Sequence, residues 1–216
     1  MIPAKAPVIH VVDDDDSFRT ALSRLLKAAG YATQQHRSAG EFLLDPPGAP
    51  GCVLLDVHMP GPSGLDLQEA IAKRGDGLPV IFLTGHGDVR QSVRAMRGGA
   101  VNFLTKPVER QELLAAIEEA LARQRAQAAD AGRRREAARR YARLTARERE
   151  VFALVVSGKI NKQIGAALGV SERTVKAHRA QVMEKMEVGS VAELVQADGL
   201  MRERSHPGRP AEGPTE

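Results

Sequence analysis

Apolar residues in the first half of the chain fall in short unbroken runs, separated by segments of helical period. Val8-Ile9-His10-Val11-Val12 is β-branched and stops at an acidic cluster, which marks a buried strand. Leu22, Leu25, Leu26 and Ala29 then recur at helical spacing, and Gly30 stands where a helix closes. Ala32 to His36 makes a second, weaker strand. Ser38-Ala39-Gly40-Glu41 has the form of a capping box ahead of Phe42-Leu43-Leu44, and Pro46 and Pro47 end that helix. Cys52-Val53-Leu54-Leu55-Asp56 is an apolar strand closed by a carboxylate, and Pro79-Val80-Ile81-Phe82-Leu83-Thr84 is one closed by a hydroxyl. A short fifth strand, around Val101 to Thr105, ends at Lys106-Pro107 before an amphipathic helix marked by Leu113, Leu114, Ile117 and Leu121. Five strands alternating with helices predict an α/β, doubly wound, five-stranded parallel sheet, with functional groups at the C-terminal strand ends. Asp13, Asp14, Asp56, Thr84 and Lys106 all hold such positions.

The pattern changes in the second half. Residues 122 to 143 are rich in Ala and Arg and extend the preceding helix as a linker, with a break expected at Gly132. From Leu144 the period is purely helical. Thr145-Ala146-Arg147-Glu148 and Ser190-Val191-Ala192-Glu193 read as capping boxes, and four helices fit before residue 203. The tail from 203 to 216, with Pro207, Pro210 and Pro214 among Gly and charges, is expected to be disordered. Asn161 to Leu168, Gly169-Val170 and Ser171 to Lys185 form a helix, a tight turn and a helix. On the second of these helices Val175, Val182 and Met186 share one side, while Arg173, Lys176, Ala177, Ala180 and Glu184 face away. Such an outer face suits the major groove of DNA. Lys176 can donate to guanine and the alanine methyls can meet thymine methyls. Arg173, Arg179 and Lys185 are candidate phosphate contacts, and Ser171 with Thr174 opens the helix where free N–H groups can take a phosphate.

Charge sharpens the division. The formal total of +4 in 216 residues conceals a net −3 for residues 1 to 120 and a net +7 for the remainder, so an acidic module precedes one fit to meet a polyanion. A single cysteine, Cys52, gives no disulfide, and no Cys/His set has zinc-like spacing. With no run of eighteen apolar residues, the sequence points to a cytoplasmic protein with no membrane association.

Carboxylates on neighbouring strand ends suit a hard divalent ion, since Mg²⁺ (or Mn²⁺) prefers oxygen ligands. A carboxylate can also accept a phosphoryl group when cations neutralise the developing charge, a role open to Lys106, with Thr84 as hydroxyl donor. Each residue alone has a plainer reading. Asp13 to Asp16 can be a solvated helix start, Asp56 a turn cap, Thr84 a satisfied hydroxyl and Lys106 a surface charge. His10, His36 and His206 show no ligand partner in sequence. His58 and His86 lie in loops near the pocket without an assigned acid-base role. A haloacid-dehalogenase-type phosphatase would place a second Asp two residues after the first, where this chain has His58.

Taken in order, Val11-Val12-Asp13-Asp14-Asp15, Leu54-Leu55-Asp56-Val57-His58-Met59-Pro60-Gly61, Thr84-Gly85-His86-Gly87-Asp88 and Lys106-Pro107 resemble a two-component receiver domain of flavodoxin-like fold. Leu144 to Val151, Asn161 to Gly165 and Ser171 to His178 resemble a LuxR-type helix-turn-helix domain, so the whole is similar to response regulators of the FixJ/NarL type. The resemblance implies that Asp56 accepts phosphate from a sensor histidine kinase. It also implies that Asp14, Asp56 and the His58 backbone carbonyl ligate Mg²⁺ directly, that Asp13 does so through water, and that Thr84 and Lys106 grip the phosphoryl group. Phe103 matches an aromatic switch position moving with Thr84, and Lys106-Pro107 matches a cis peptide. Lys176, Ala177 and Ala180 match groove-facing positions.

The expected organisation is a receiver over 6–125, a helical linker over 126–140, a four-helix DNA-binding domain over 141–202 and the tail. The expected function is a transcription factor, not a turnover enzyme, that binds promoter DNA and dimerises when phosphorylated, with RNA polymerase as a further partner. The alternatives are a phosphorylation-independent DNA-binding regulator with a vestigial receiver, and an interaction protein or phosphatase that does not use DNA.

Overall fold

The computed structural model describes residues 6–45, 47–75, 77–85 and 89–202. Pro46, His86, His206 and the tail lie outside the described residues. The chain divides into two compact units, Met1–Ala128 and Ala129–Glu216.

In the first unit β1 (Val8–Val12), β2 (Ala32–His36), β3 (Gly51–Asp56), β4 (Val80–Thr84) and β5 (Asn102–Thr105) form one parallel sheet in the order β2-β1-β3-β4-β5. Helices α1 (Asp16–Ala28), α2 (Ala39–Leu44), α3 (Gly64–Arg74) and α4 (Val89–Arg97) connect the strands, and α5 (Arg110–Ala142) follows them, its residues from Ala129 onward belonging to the second unit. Because the sheet is covered on both faces, alternate residues of one strand enter different cores. Ile9, Val11, Cys52, Leu54, Ile81 and Leu83 pack with Leu22 and Leu26 of α1 and Leu113 and Ile117 of α5. Val12, Val53, Leu55, Val80 and Phe82 pack with Phe42, Leu65, Leu67, Ile71 and Ala95 from α2, α3 and α4. The strand order reverses between β1 and β3, where a doubly wound sheet opens its crevice.

The second unit holds α6 (Ala146–Val156), α7 (Asn161–Leu168), α8 (Glu172–Met186) and α9 (Val191–Arg202). Val151, Phe152, Val155, Ile164, Val175, Val182, Met186 and Leu194 make its core, with Tyr141 edge-on to Phe152 at 5.1 Å. Gly169 ends α7 at φ +66°, a left-handed conformation that residues with a side chain rarely adopt, and the chain turns directly into α8.

Local details depart from the sequence pattern at Gly132 and at two of the capping boxes. No break occurs at Gly132, and α5 runs through it. One glycine costs a helix only about 1 kcal/mol, and ion pairs such as Arg133 with Asp130 and Arg139 with Glu136 flank it. Of the capping boxes, Thr145 with Glu148 is reciprocal. Ser38 and Ser190 cap their helices, but Glu41 and Glu193 reach one residue further back, to the Arg37 and Gly189 N–H groups. No described helix is long and apolar enough to cross a membrane.

Candidate functional site

The strand ends bring Asp13, Asp56 and Lys106 together. Asp13 follows β1, Asp56 closes β3 and Lys106 follows β5. The Lys106 Nζ donates to Asp13 Oδ2 at 2.6 Å and to Asp56 Oδ1 at 2.8 Å. Its ammonium also lies 4.2 Å from the centroid of the Phe18 ring, a cation–π contact with the first turn of α1. Burial raises the Asp13 carboxyl above its ordinary value against the pull of Lys106. Burial alone would lower the Lys106 ammonium, but its two carboxylate partners outweigh that and hold it above its ordinary value. The Lys106-Pro107 bond is cis.

Four adjacent aspartates do four different things. Asp13 is buried against Lys106, and its Oδ1 accepts from the Asp15 N–H at 2.9 Å. Asp14 is exposed on the pocket wall. Asp15 caps α1, accepting from the Ser17 and Phe18 N–H groups at 2.8 and 3.0 Å, which holds its carboxyl below the usual range. Asp16 pairs with Arg19. Cavity lining and helix start are thus divided among the four residues.

The cavity they border is about 610 Å³ and is also lined by His58, Gly85 and Gln91. The His58 N–H donates to Asp56 Oδ2 at 2.7 Å, and its Nε2 stands 3.1 Å from Gln91 Nε2, bridging to α4. Gly64, at the start of α3, allows close approach to β3: a Cβ there would lie 2.1 Å from the Asp56 carbonyl oxygen. Thr84 is fully buried and does not line the cavity; its carbonyl accepts from the Lys106 N–H at 2.7 Å. Phe103 is half-buried, with its ring 6.0 Å from that of Phe82.

Oxygen-only donors from Asp13, Asp14 and Asp56 around one cavity are the chemistry a hard divalent ion takes, and Mg²⁺ needs only one or two carboxylates beside its waters. Among the described residues no three acidic, histidine or cysteine side chains are already converged as a cage. The Lys106 ammonium instead bridges two of the carboxylates.

In the second unit, Val175, Val182 and Met186 of α8 are buried, and Arg173, Lys176, Ala177, Ala180 and Glu184 are exposed, as the helical wheel predicts; Thr174 is exposed as well. Ser171 caps α8, its Oγ accepting from the Thr174 N–H at 3.2 Å. Two of the candidate phosphate contacts are engaged within the unit. Arg179 is half-buried and donates to Asn161 Oδ1 at 2.8 Å. Lys185 donates to both carboxylate oxygens of buried Glu148 at 2.7 Å, because its position falls beside the apolar stripe and a buried carboxylate demands a partner. Lys162, exposed near the start of α7, joins Arg173 and Lys176 as an outward cation. Its place directly after a helix-opening Asn was the signal for it. Phe18, Gly64 and Gln91 had no comparable signal, since their contacts come from distant segments.

Residues 9–118 match the response regulator receiver domain family, and residues 142–197 match the luxR family of bacterial regulatory proteins. The chain is 45% identical over 197 residues to the transcriptional regulatory protein FixJ of Azorhizobium caulinodans, covering 90% of this chain and 92% of that one. It is 41% identical over 200 residues to the response regulator protein TodT of Pseudomonas putida, covering 92% and 88%. Among solved structures it resembles the response regulator StyR, with a TM-score of 0.78 at 41% identity over 90% of this chain and 98% of that one. Full-length FixJ from B. japonicum gives a TM-score of 0.56 at 38% identity, covering 93% and 98%.

Proposed function

Because the chain belongs to the response regulators in which a receiver domain precedes a LuxR-family DNA-binding domain, we propose that Asp56 is its phosphoacceptor and that phosphorylation controls DNA binding by α8. The observation that carries this reading is the convergence of Asp56, Asp13 and Lys106 at the sheet's crevice, with Asp14 lining the same cavity. Residues 6–125 form the receiver, 126–140 the helical linker and 141–202 the DNA-binding part.

In the transfer, an Asp56 carboxylate oxygen attacks phosphorus as the phosphorus–nitrogen bond to the kinase's phosphohistidine breaks, and the imidazole leaves with that electron pair. Asp14, Asp56 and the His58 carbonyl would hold Mg²⁺ directly and Asp13 through water, and the ion supplies charge neutralisation at the phosphoryl oxygens. Lys106 exchanges a carboxylate contact for a phosphoryl oxygen, and Thr84 turns its hydroxyl toward the same group while Phe103 moves into the space released. The receiver performs this chemistry on itself once per activation, as a transcriptional regulator and not a turnover enzyme.

Phosphorylation favours a homodimer that sets two α8 helices on half-sites about 34 Å apart in promoter DNA. Lys176, Ala177 and Ala180 face base edges; Ser171, Arg173, Thr174 and Lys162 meet phosphates, as does Arg179 while tied to Asn161. RNA polymerase is a further partner, and the cytoplasm is the site of action.

The test is intact mass and solution size after incubation with Mg²⁺ and acetyl phosphate. Wild type should gain one phosphoryl group and shift toward dimer, whereas Asp56→Asn should do neither. Equal modification of both proteins would remove Asp56 from the role.

A further inference from the structure

Arg19 is a charged side chain with only 9% of its surface exposed, on the second turn of α1, and it does not line the acidic cavity. A guanidinium is buried only where it is paired. Its Nη1 donates to the Asp13 main-chain carbonyl, one residue beyond the end of β1, and its Nη2 pairs with the Asp16 carboxylate at the start of α1. One planar fork therefore ties together the two ends of the Asp13–Asp16 turn. Both attachments leave the Asp13 and Asp14 carboxylates to the cavity. The remaining bonds of the turn are local: Asp15 N–H to Asp13 Oδ1, and the capping bonds of Asp15. The Asp13 N–H is anchored on the other side, to the His36 carbonyl at 3.1 Å. Asp14 thus sits on a loop held by Arg19 at both ends and by β2 through the Asp13 N–H.

We infer that Arg19 is a positioning residue of the phosphoacceptor pocket, holding the Asp13–Asp16 turn in the form that presents Asp13 and Asp14 to a divalent cation. This rests on the reading of the pocket given above. Charge and position make opposite demands, which renders the idea decidable. As a bare positive charge near a cation site, Arg19 repels the ion, so its removal should tighten binding. As the brace of the turn, its removal should loosen the carboxylates and weaken binding, and lysine should not restore it, because an ammonium lacks the fork that reaches both acceptors.

The experiment is Mg²⁺ titration by calorimetry on the full chain, for wild type, Arg19→Lys, Arg19→Gln and Asp14→Asn, with circular dichroism and melting in metal-free buffer to establish that each is folded. Partners of metal ligands typically alter affinity by about tenfold or more. Both Arg19 variants should therefore bind Mg²⁺ about tenfold more weakly while keeping the wild-type spectrum. Equal or tighter binding by Arg19→Gln overturns the inference, as does full rescue by Arg19→Lys. If Arg19→Gln does not fold, Arg19→Lys alone decides, since it keeps the charge and loses the fork. Failure of wild type to bind Mg²⁺, or unaltered binding by Asp14→Asn, instead overturns the pocket reading on which the inference stands.

Discussion

Lys176 and Lys185 are both cations of α8 that the sequence assigns to DNA, and the structure separates them sharply enough to measure. Lys185 reaches both oxygens of Glu148 at 2.7 Å, with 27% of its side chain exposed against 7% for the carboxylate. Glu148 is left with only the Thr145 cap when the lysine is truncated. Breaking a buried pair costs about 3–5 kcal/mol, and the solvent reaching this lysine reduces that to about 1–3 kcal/mol. In a unit of this size each kcal/mol moves the melting temperature by about 4–8 °C. Lys185→Ala should therefore lower the melting temperature of the second unit by about 5–20 °C, read by calorimetry on the full chain. Lys176 is exposed, so Lys176→Ala should leave stability within about 0.5 kcal/mol.

Binding should show the reverse order. In titrations of a labelled duplex over a series of salt concentrations, Lys176→Ala should lose affinity, by about 1–3 kcal/mol where it meets a guanine. If it meets a phosphate instead, the logarithmic salt slope should fall by about 0.9 per contact. Lys185→Ala should keep the wild-type slope below its melting range. The hydrogen bond from Lys185 also holds the Glu148 carboxyl below its ordinary value, so the pair stabilises the unit above the usual carboxylate range and is lost on acidification through the folded value. A Lys185→Ala protein with unchanged melting and a shallower salt slope would refute the reasoning, because the lysine would then be leaving Glu148 to serve DNA.

Two further outcomes follow from the first unit. His10 is buried, with its Nδ1 3.2 Å from His36 Nε2, and burial followed by the His36 charge lowers its pKa to about 4. The unfolded chain then binds a proton that the folded one refuses, so stability should fall as pH drops from about 6.5 towards 4, by about 2 kcal/mol between pH 6.5 and 5. Denaturant unfolding should show this limb flattened in His10→Phe, and an unchanged limb would count against it. Gly64→Ala sets a Cβ against the Asp56 carbonyl and should cost about 1–3 kcal/mol or more. It should also abolish phosphoryl uptake in the mass assay, and a variant with normal melting and normal uptake would contradict the close approach.

The sheet was legible because parallel strands buried on both faces read as continuous apolar runs, as β1, β3 and β4 do. β2, Ala-Thr-Gln-Gln-His, lies at an edge and carries almost no such signal; its place between two helical patterns revealed it. Pro79 was read as the start of a strand that begins at Val80, yet its carbonyl still accepts from Val53, so a residue without an N–H can serve the ladder as acceptor only. Composition could not divide four consecutive aspartates, since pocket ligand and helix cap demand the same side chain. Only the end of β1 and the extended backbone of the Asp15 cap separate their roles. The partner of Lys185 was hidden for a different reason: Glu148 lies 37 residues earlier, on another helix.

The same arrangement bears on how the proposed switch would be thrown. Lys106 is shared between Asp13 and Asp56, and the Phe18 ring stabilises its ammonium in that position. A phosphoryl group on Asp56 would bring about −1.5 to −2 charges where one carboxylate charge stood. A single ammonium would then be divided between Asp13 and the new oxygens, and the Thr84 hydroxyl, buried at the end of the adjoining strand β4, is the proposed second donor. Recruiting it would open space beside β5, where Phe103 is half-buried and packs against the same core as Phe82. In the proposed switch, charge imbalance at Asp56 would thereby be converted into a packing change at β5, and a close-packed core answers such a change by moving between discrete arrangements and not by yielding gradually.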